Sequence, residues 1–113
     1  MFFNKEINPY PISDSVTFRN VDKTISLSVR SDAPSLILGL KRVQERLAGM
    51  NDDTEDSERI DAARFFARTL FGTDQGDSLV QFYNEDALAI VNACGIYFQK
   101  RLAKKITKAQ KKK

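Results

Sequence analysis

The sequence of 113 residues predicts an α+β fold, in which an N-terminal β-hairpin packs on a mostly helical body of three to four helices. Apolar and polar residues alternate between residues 15 and 30, which is the period of a half-buried strand. From residue 36 onward the apolar residues recur at spacings of three and four, which is the period of an amphipathic helix. The length fits a single domain with one modest core, and we expect residues 1–106 to form it.

The predicted hairpin rests on one strictly alternating stretch and a shorter one before it. Ile25, Leu27 and Val29 alternate with polar residues, so one face of the hairpin should be buried. We expect a four-residue loop at 20–23, because no Asn-Gly or Asp-Gly pair is present to favour a two-residue turn. Two prolines within residues 1–14 predict an extended or looped segment before the first strand.

The first helix is expected to begin after Asp32 and to end near Gly49. Asp32 can cap it, and Pro34 suits its first turn. Gly39 lies inside the helical pattern at a cost of roughly 1 kcal/mol relative to alanine. This cost suggests that another helix or the hairpin packs closely against Gly39, and Gly95 in the last helix invites the same interpretation.

Two more helices should follow an acidic linker at residues 51–56, which has nothing to bury. The apolar stripe of the second helix stops at Gly72, a residue typical of helix ends. Residues 73–76 predict a loop, and residues 78–83 predict a short third helix.

A long final helix is expected to begin at Asn84, with two acids in its first turn where the helix dipole favours them. Its apolar stripe reaches Ile106. Beyond that point the sequence offers nothing to pack, so residues 107–113 predict a disordered tail rich in lysine.

The residues offer no assembly of catalytic parts, and the protein is not expected to be an enzyme. There is no His, and the single Cys94 falls on an apolar helix stripe, where a buried small side chain is expected. The acids between residues 52 and 58 lack the spacing of a calcium loop, and no cofactor or metal is expected. No apolar run is long enough for a bilayer, so we expect no membrane partner and an intracellular protein.

The net charge of +3 conceals an uneven distribution. The segment Lys100–Lys113 holds eight basic residues and no acid, whereas residues 1–99 carry a net charge of −5. Such a basic end can bind nucleic acid, anionic lipid or an acidic protein surface, or it can simply keep the chain soluble. No aromatic residue lies there to stack on bases, so sequence-specific nucleic-acid recognition is not expected.

The stretch from Phe82 to Phe98, followed by Arg101-Leu102 and a lysine-rich end, resembles the small tail assembly chaperones of tailed phages and prophages of Gram-positive bacteria. The order of parts is also similar, with a hairpin, a helical body and a last helix that ends in lysines. The specific part of the resemblance covers residues 79–106.

The resemblance implies a chaperone that binds the tape measure protein and keeps it soluble while tail tube subunits polymerise around it. It also implies self-association, a location in the host cytoplasm and absence from the mature virion. Many phages make a longer form by a programmed frameshift, and the codons of Lys111–Lys113 could form the required run of A. The alternatives are a small nucleic-acid-associated or regulatory protein that uses the basic end, and a minor structural tail component.

The candidate protein-binding surface combines aromatic and aliphatic residues near helix ends with lysines of the last helix. Phe65 and Phe66 are adjacent, so they cannot both point inward on a narrow stripe, and exposed aromatic patches often mark interfaces. Alternatively, the hairpin and the third helix cover these side chains. The candidate residues are Phe65, Phe66, Leu70, Phe71, Phe82, Tyr83, Lys100, Lys104, Lys105 and Lys108.

Overall fold

A computed structural model of the chain describes residues 12–111 and confirms the α+β fold, with an antiparallel hairpin followed by a helical body. The predicted loop before the first strand lies outside the described residues up to residue 11, and β1 already begins at Ile12. The elements in chain order are β1 (Ile12–Asn20), β2 (Lys23–Ser31), α1 (Ala33–Ala48), α2 (Asp56–Phe71), α3 (Thr73–Phe82), α4 (Ala87–Tyr97), a π-helical turn (Phe98–Leu102) and α5 (Ala103–Lys111).

The hairpin is tighter than the sequence predicts. Asn20 pairs directly with Lys23, so only Val21 and Asp22 connect the strands, and the expected four-residue loop is wrong. Val21 has a φ of 59° and is 87% exposed. A β-branched residue is strained at such a φ. The strand pairing continues without a break up to Asn20 and Lys23, and it holds the turn in this conformation.

One face of the hairpin is buried, as predicted. Phe18, Leu27 and Val29 lie in the core, together with Ile12 at the start of β1. The rings of Phe18, Phe71 and Tyr97 contact one another, with centroids 5.7 to 6.2 Å apart. Because these rings come from β1, α2 and α4, they join the hairpin to the helical body.

A single acid interrupts the apolar face of the hairpin. Asp14 lies opposite Val29 on that face, and its side chain is only 7% exposed. Its carboxylate accepts hydrogen bonds from the Tyr97 hydroxyl and the Arg101 guanidinium, each at 2.8 Å. The ammonium of Lys105 lies 3.7 Å away. Burial and the bond to Asp14 raise the pKa of Tyr97, so its hydroxyl remains a donor at neutral pH.

The first helix begins and ends where the sequence predicts. The carboxylate of Asp32 accepts hydrogen bonds from the backbone N–H of Ser35 at 2.7 Å and from its hydroxyl at 3.0 Å. These bonds lower the pKa of Asp32. The helix ends at Ala48, followed by Gly49.

The second helix ends at Gly72 as expected, but the loop predicted at residues 73–76 is wrong. The third helix begins directly at Thr73. The side chain of Gln75 accepts from the backbone N–H of Ser28 and donates to its carbonyl, both at 2.9 Å. This pair of bonds fixes the first turn of α3 against β2, a contact that local sequence does not reveal.

The C-terminal helix differs from its prediction at both ends. Asp86, not Asn84, caps α4, accepting from the N–H of Ala89 at 3.2 Å. From Ala87 the chain then remains helical through the π turn to Lys111. The predicted disorder from residue 107 is therefore not seen over residues 107–111. Ile106 is buried, Ala109 packs on the core, and α5 contacts both α1 and β1.

We expect Asp14→Ala to lower the free energy of unfolding by about 1–3 kcal/mol, because the Tyr97 hydroxyl loses its acceptor in a partly buried position. Urea unfolding followed by circular dichroism measures this change. The exposed Asp52→Ala variant is the matched control and should unfold like the wild type. Equal midpoints for the two variants would contradict a stabilising role for Asp14.

Candidate functional site

The structure does not assemble the six aromatic and aliphatic candidates into one surface. Leu70 and Phe71 are 3% and 5% exposed and belong to the core, so neither is available to a partner in this conformation. Phe66 is also buried, although it reaches the floor of a groove described below. Phe65 is half-buried beneath the guanidinium of Arg46, which lies 5.6 Å from the ring centroid.

Phe82 and Tyr83 attach the end of α3 to the hairpin. The Tyr83 hydroxyl donates to the carbonyl of Arg19 at 3.1 Å, and the carbonyl of Phe82 accepts from the side-chain amide of Asn20 at 2.9 Å. Burial raises the pKa of Tyr83, with a smaller contribution from Cys94. Both residues therefore contact the hairpin, Phe82 through its backbone carbonyl, and both side chains are half-buried. Their role in protein binding stays a prediction.

The four candidate lysines do share one surface. Together with Arg101 they form a basic patch on the π turn and α5, which consists of Lys100, Arg101, Lys104, Lys105 and Lys108. Arg101 and Lys105 are oriented towards Asp14. Among residues 12–111, the other three lysines of the patch have no ion-pair partner within 4.0 Å, so their charge is available to a ligand.

An open apolar groove of about 1030 Å³ lies between α1 and the C-terminal helix, next to the basic patch. Val43 of α1 and Phe66 of α2 are buried at its floor. The side chains that give its walls their apolar character are Ile37, Leu40 and Leu47 on α1, and Val91, Phe98 and Ile106 on the C-terminal helix.

The rim of the groove is polar and basic. Lys41 and Gln44 lie on the α1 side, and Gln99 lies on the opposite side. Ala103 and Thr107 line both the groove and the basic patch, so the two surfaces are continuous. None of the described residues that line either surface is acidic. The groove therefore combines an apolar floor with a positive edge.

The two glycines for which the sequence predicts close packing have different surroundings. A Cβ added at Gly39 would lie 2.7 Å from Cγ2 of Thr69 on α2, which confirms close packing there. At Gly95 an added Cβ would meet no described atom within 4 Å, apart from its chain neighbours and the backbone of its own helix, and Gly95 lines the groove. Gly95 thus lowers the stability of its helix by about 1 kcal/mol relative to alanine, and no contact with the described residues requires a glycine there.

The groove was not predicted from the sequence, because its walls are formed by residues at the edges of two apolar helix faces. Both faces were assigned to the core. Leu36, Ile37 and Leu38 are consecutive, so a helix cannot bury all three on one narrow face. Leu36 is buried, whereas Ile37 is 39% exposed and Leu38 is 51% exposed. The sequence does show that the apolar face of α1 is wider than the area one neighbouring helix can cover. It does not show which edge of that face stays exposed.

The groups considered for catalysis lie in different surroundings. Cys94 is buried as predicted, and burial raises the pKa of its thiol to about 12. The acids between residues 52 and 58 are exposed at the start of α2 and in the linker before it. Within residues 12–111 there is no cluster of three or more residues suited to hold a metal ion.

Comparisons of the chain with protein-family models, curated proteins and solved structures give no match. No helix among the described residues has the length and apolar character needed to cross a membrane. Function is therefore inferred from the groove, the basic patch and the resemblance noted in the C-terminal half.

We expect Gly95→Ala to raise the free energy of unfolding by up to about 1 kcal/mol, because alanine favours helix and its Cβ meets open space. Gly76→Ala should lower it, since its Cβ would lie 2.7 Å from the backbone of Arg68. Thermal and urea unfolding of both variants measure the difference. Destabilisation by Gly95→Ala would show that the space beside Gly95 is already filled.

We expect the Cys94 thiol to be inert towards Ellman's reagent at pH 8 in the native protein and to react fully in denaturant. Burial raises its pKa from 9.0 to about 12, so the unfolded chain ionises first as pH rises. Stability from this group should be intact below pH 9 and fall between pH 9 and about 12, with a shallower loss in Cys94→Ala. Equal native and denatured reaction rates would show that the thiol is accessible.

Proposed function

We propose that the protein is a phage tail assembly chaperone that binds and solubilises the tape measure protein during tail morphogenesis. The observation that carries this proposal is the open apolar groove between α1 and the C-terminal helix. Clefts of this volume that lie between helices and are lined mostly by apolar side chains are common binding sites. Residues 79–106, which carry the resemblance, supply most of one wall of this groove.

The groove suits the chemistry of such a client. A tape measure protein is long and helical, and its apolar faces need cover before tail tube subunits enclose them. An amphipathic helix can lay its apolar face into a hydrophobic groove. An open groove allows the helix to be released when tube subunits compete for it. In this proposal the chaperone also self-associates, works in the host cytoplasm and is absent from the mature virion.

The basic patch supports nucleic-acid binding less well. Arg101 and Lys105 are engaged with Asp14, and no aromatic side chain lines the patch to stack on bases. Salt separates the two functions, because phosphate binding falls steeply between about 50 and 200 mM salt whereas apolar contacts change little. Detection of the protein in purified particles would instead favour a minor structural tail component.

The proposal predicts that co-expression with the protein encoded just downstream, the expected tape measure protein, increases the soluble fraction of that protein. Ile37→Asp places a charge in the groove wall and should abolish the rescue. Leu38→Asp is the matched control, because Leu38 is exposed on the same helix but does not line the groove. Circular dichroism establishes that both variants fold.

Failure of the wild-type chain to increase the client's solubility would refute the chaperone function. Equal loss of rescue in the two variants would show that the client does not use the groove. The nucleotide sequence provides an independent check, since a stop-free overlapping frame beyond the codon of Lys113 supports the frameshifted form that the resemblance implies.

A further inference from the structure

We propose that the occupant of the groove is an amphipathic helix with an acidic flank, and that it crosses α4 at Gly95 with a small residue facing that glycine. This inference rests on the proposed function in one respect, since both require the groove to be open. It assigns the chemistry of the partner segment and the point of closest approach, whatever protein supplies the segment.

The first support is the distribution of glycines. Gly49 and Gly72 follow helix ends, whereas Gly39, Gly76 and Gly95 lie inside helices. Thr69 of α2 covers Gly39, and the backbone of α2 at Arg68 covers Gly76. In this fold an interior glycine therefore marks a close helix contact, and Gly95 is the interior position where the described residues supply no partner.

The second support is the size and polarity of the groove. Its α1 wall runs from Ile37 to Ala48, a length of about 17 Å, which matches about three turns of helix. Apolar side chains line both walls, so the surface of the groove is an apolar stripe. A helix with one apolar face fills such a stripe, whereas a nucleic acid would bring phosphates against it.

The third support is charge complementarity. Lys41 lies on one rim, and Lys104 and Lys108 lie in the basic patch beyond the other. No described residue lining the groove or the patch is acidic, and these three lysines have no ion-pair partner among residues 12–111. An occupant with Glu or Asp on its flanks would supply the missing charges, whereas a basic helix would be repelled.

The test uses the full chain and three labelled synthetic peptides of about 20 residues, a length that supports helix formation. The first has a leucine face, glutamate flanks and alanine at the central apolar position. The second replaces the flanking glutamates with glutamine, and the third replaces the central alanine with phenylalanine. Fluorescence anisotropy measures binding to the wild type, to Gly95→Leu and to Asn92→Leu, which adds the same side chain outside the groove.

We expect the first peptide to bind the wild type and Asn92→Leu equally, and Gly95→Leu about tenfold or more weakly, because a close contact tolerates little added volume. The glutamine peptide should bind more weakly than the glutamate peptide at low salt, and the difference should shrink at high salt. The phenylalanine peptide should lose affinity for the wild type.

Equal binding of the first peptide to the wild type and Gly95→Leu would overturn the close approach at Gly95. No binding to the wild type would overturn the proposal entirely, since the groove would then be filled by a second copy or by a segment of this chain. Dimers in sedimentation analysis that Gly95→Leu dissociates would assign the groove to the second copy. Peptide binding without rescue of the tape measure protein would preserve this inference and refute the proposed function.

Discussion

The carboxylate of Asp14 fixes the C-terminal helix against the hairpin, and the remaining architecture depends on that placement. A two-stranded hairpin is marginal on its own, so these strands need a surface on which to bury Phe18 and Val29. The bonds from Asp14 to Tyr97 and Arg101 select one position along the helix and one rotation about its axis. That rotation directs one side of the helix towards the hairpin and leaves another beside α1, where it forms a groove wall.

The same placement explains how an apolar surface persists beside a well-packed core. The aromatic contacts of Phe18, Phe71 and Tyr97 complete the core on the hairpin side. On the other side α1 packs against α2 and α5, and the space in front of Gly95 receives no side chain from the described residues. The cost of this arrangement is exposed apolar area and a glycine within a helix. Both costs are understandable if a partner covers the surface during the protein's work.

Periodicity and capping were sufficient for the two strands of the hairpin, for α1 and for the end of α2, because each depends on neighbouring residues, but they did not predict the two-residue hairpin turn. Asp32 with its bonds to Ser35 is such a local signal. The early start of α3 was not predictable, since it depends on Gln75 meeting Ser28 across 47 residues of sequence. The site was only partly predictable for the same reason. The lysines were identified by composition. The burial of Phe71 and the exposure of Ile37, in contrast, depend on which edge of an apolar helix face packs against another helix or strand.

The π turn from Phe98 to Leu102 lets the C-terminal helix hold one residue more than an uninterrupted α-helix with the same two faces. Such a turn is in effect an extra residue inserted into an α-helix. Removing one residue there would restore α-helical geometry and leave the orientation of α5 nearly unchanged, so Ile106 would stay in the core. Removing a second residue would rotate α5 by about 100° relative to α4 and carry Ile106 out of the core. Natural relatives of this chain should therefore lack at most one residue in this segment.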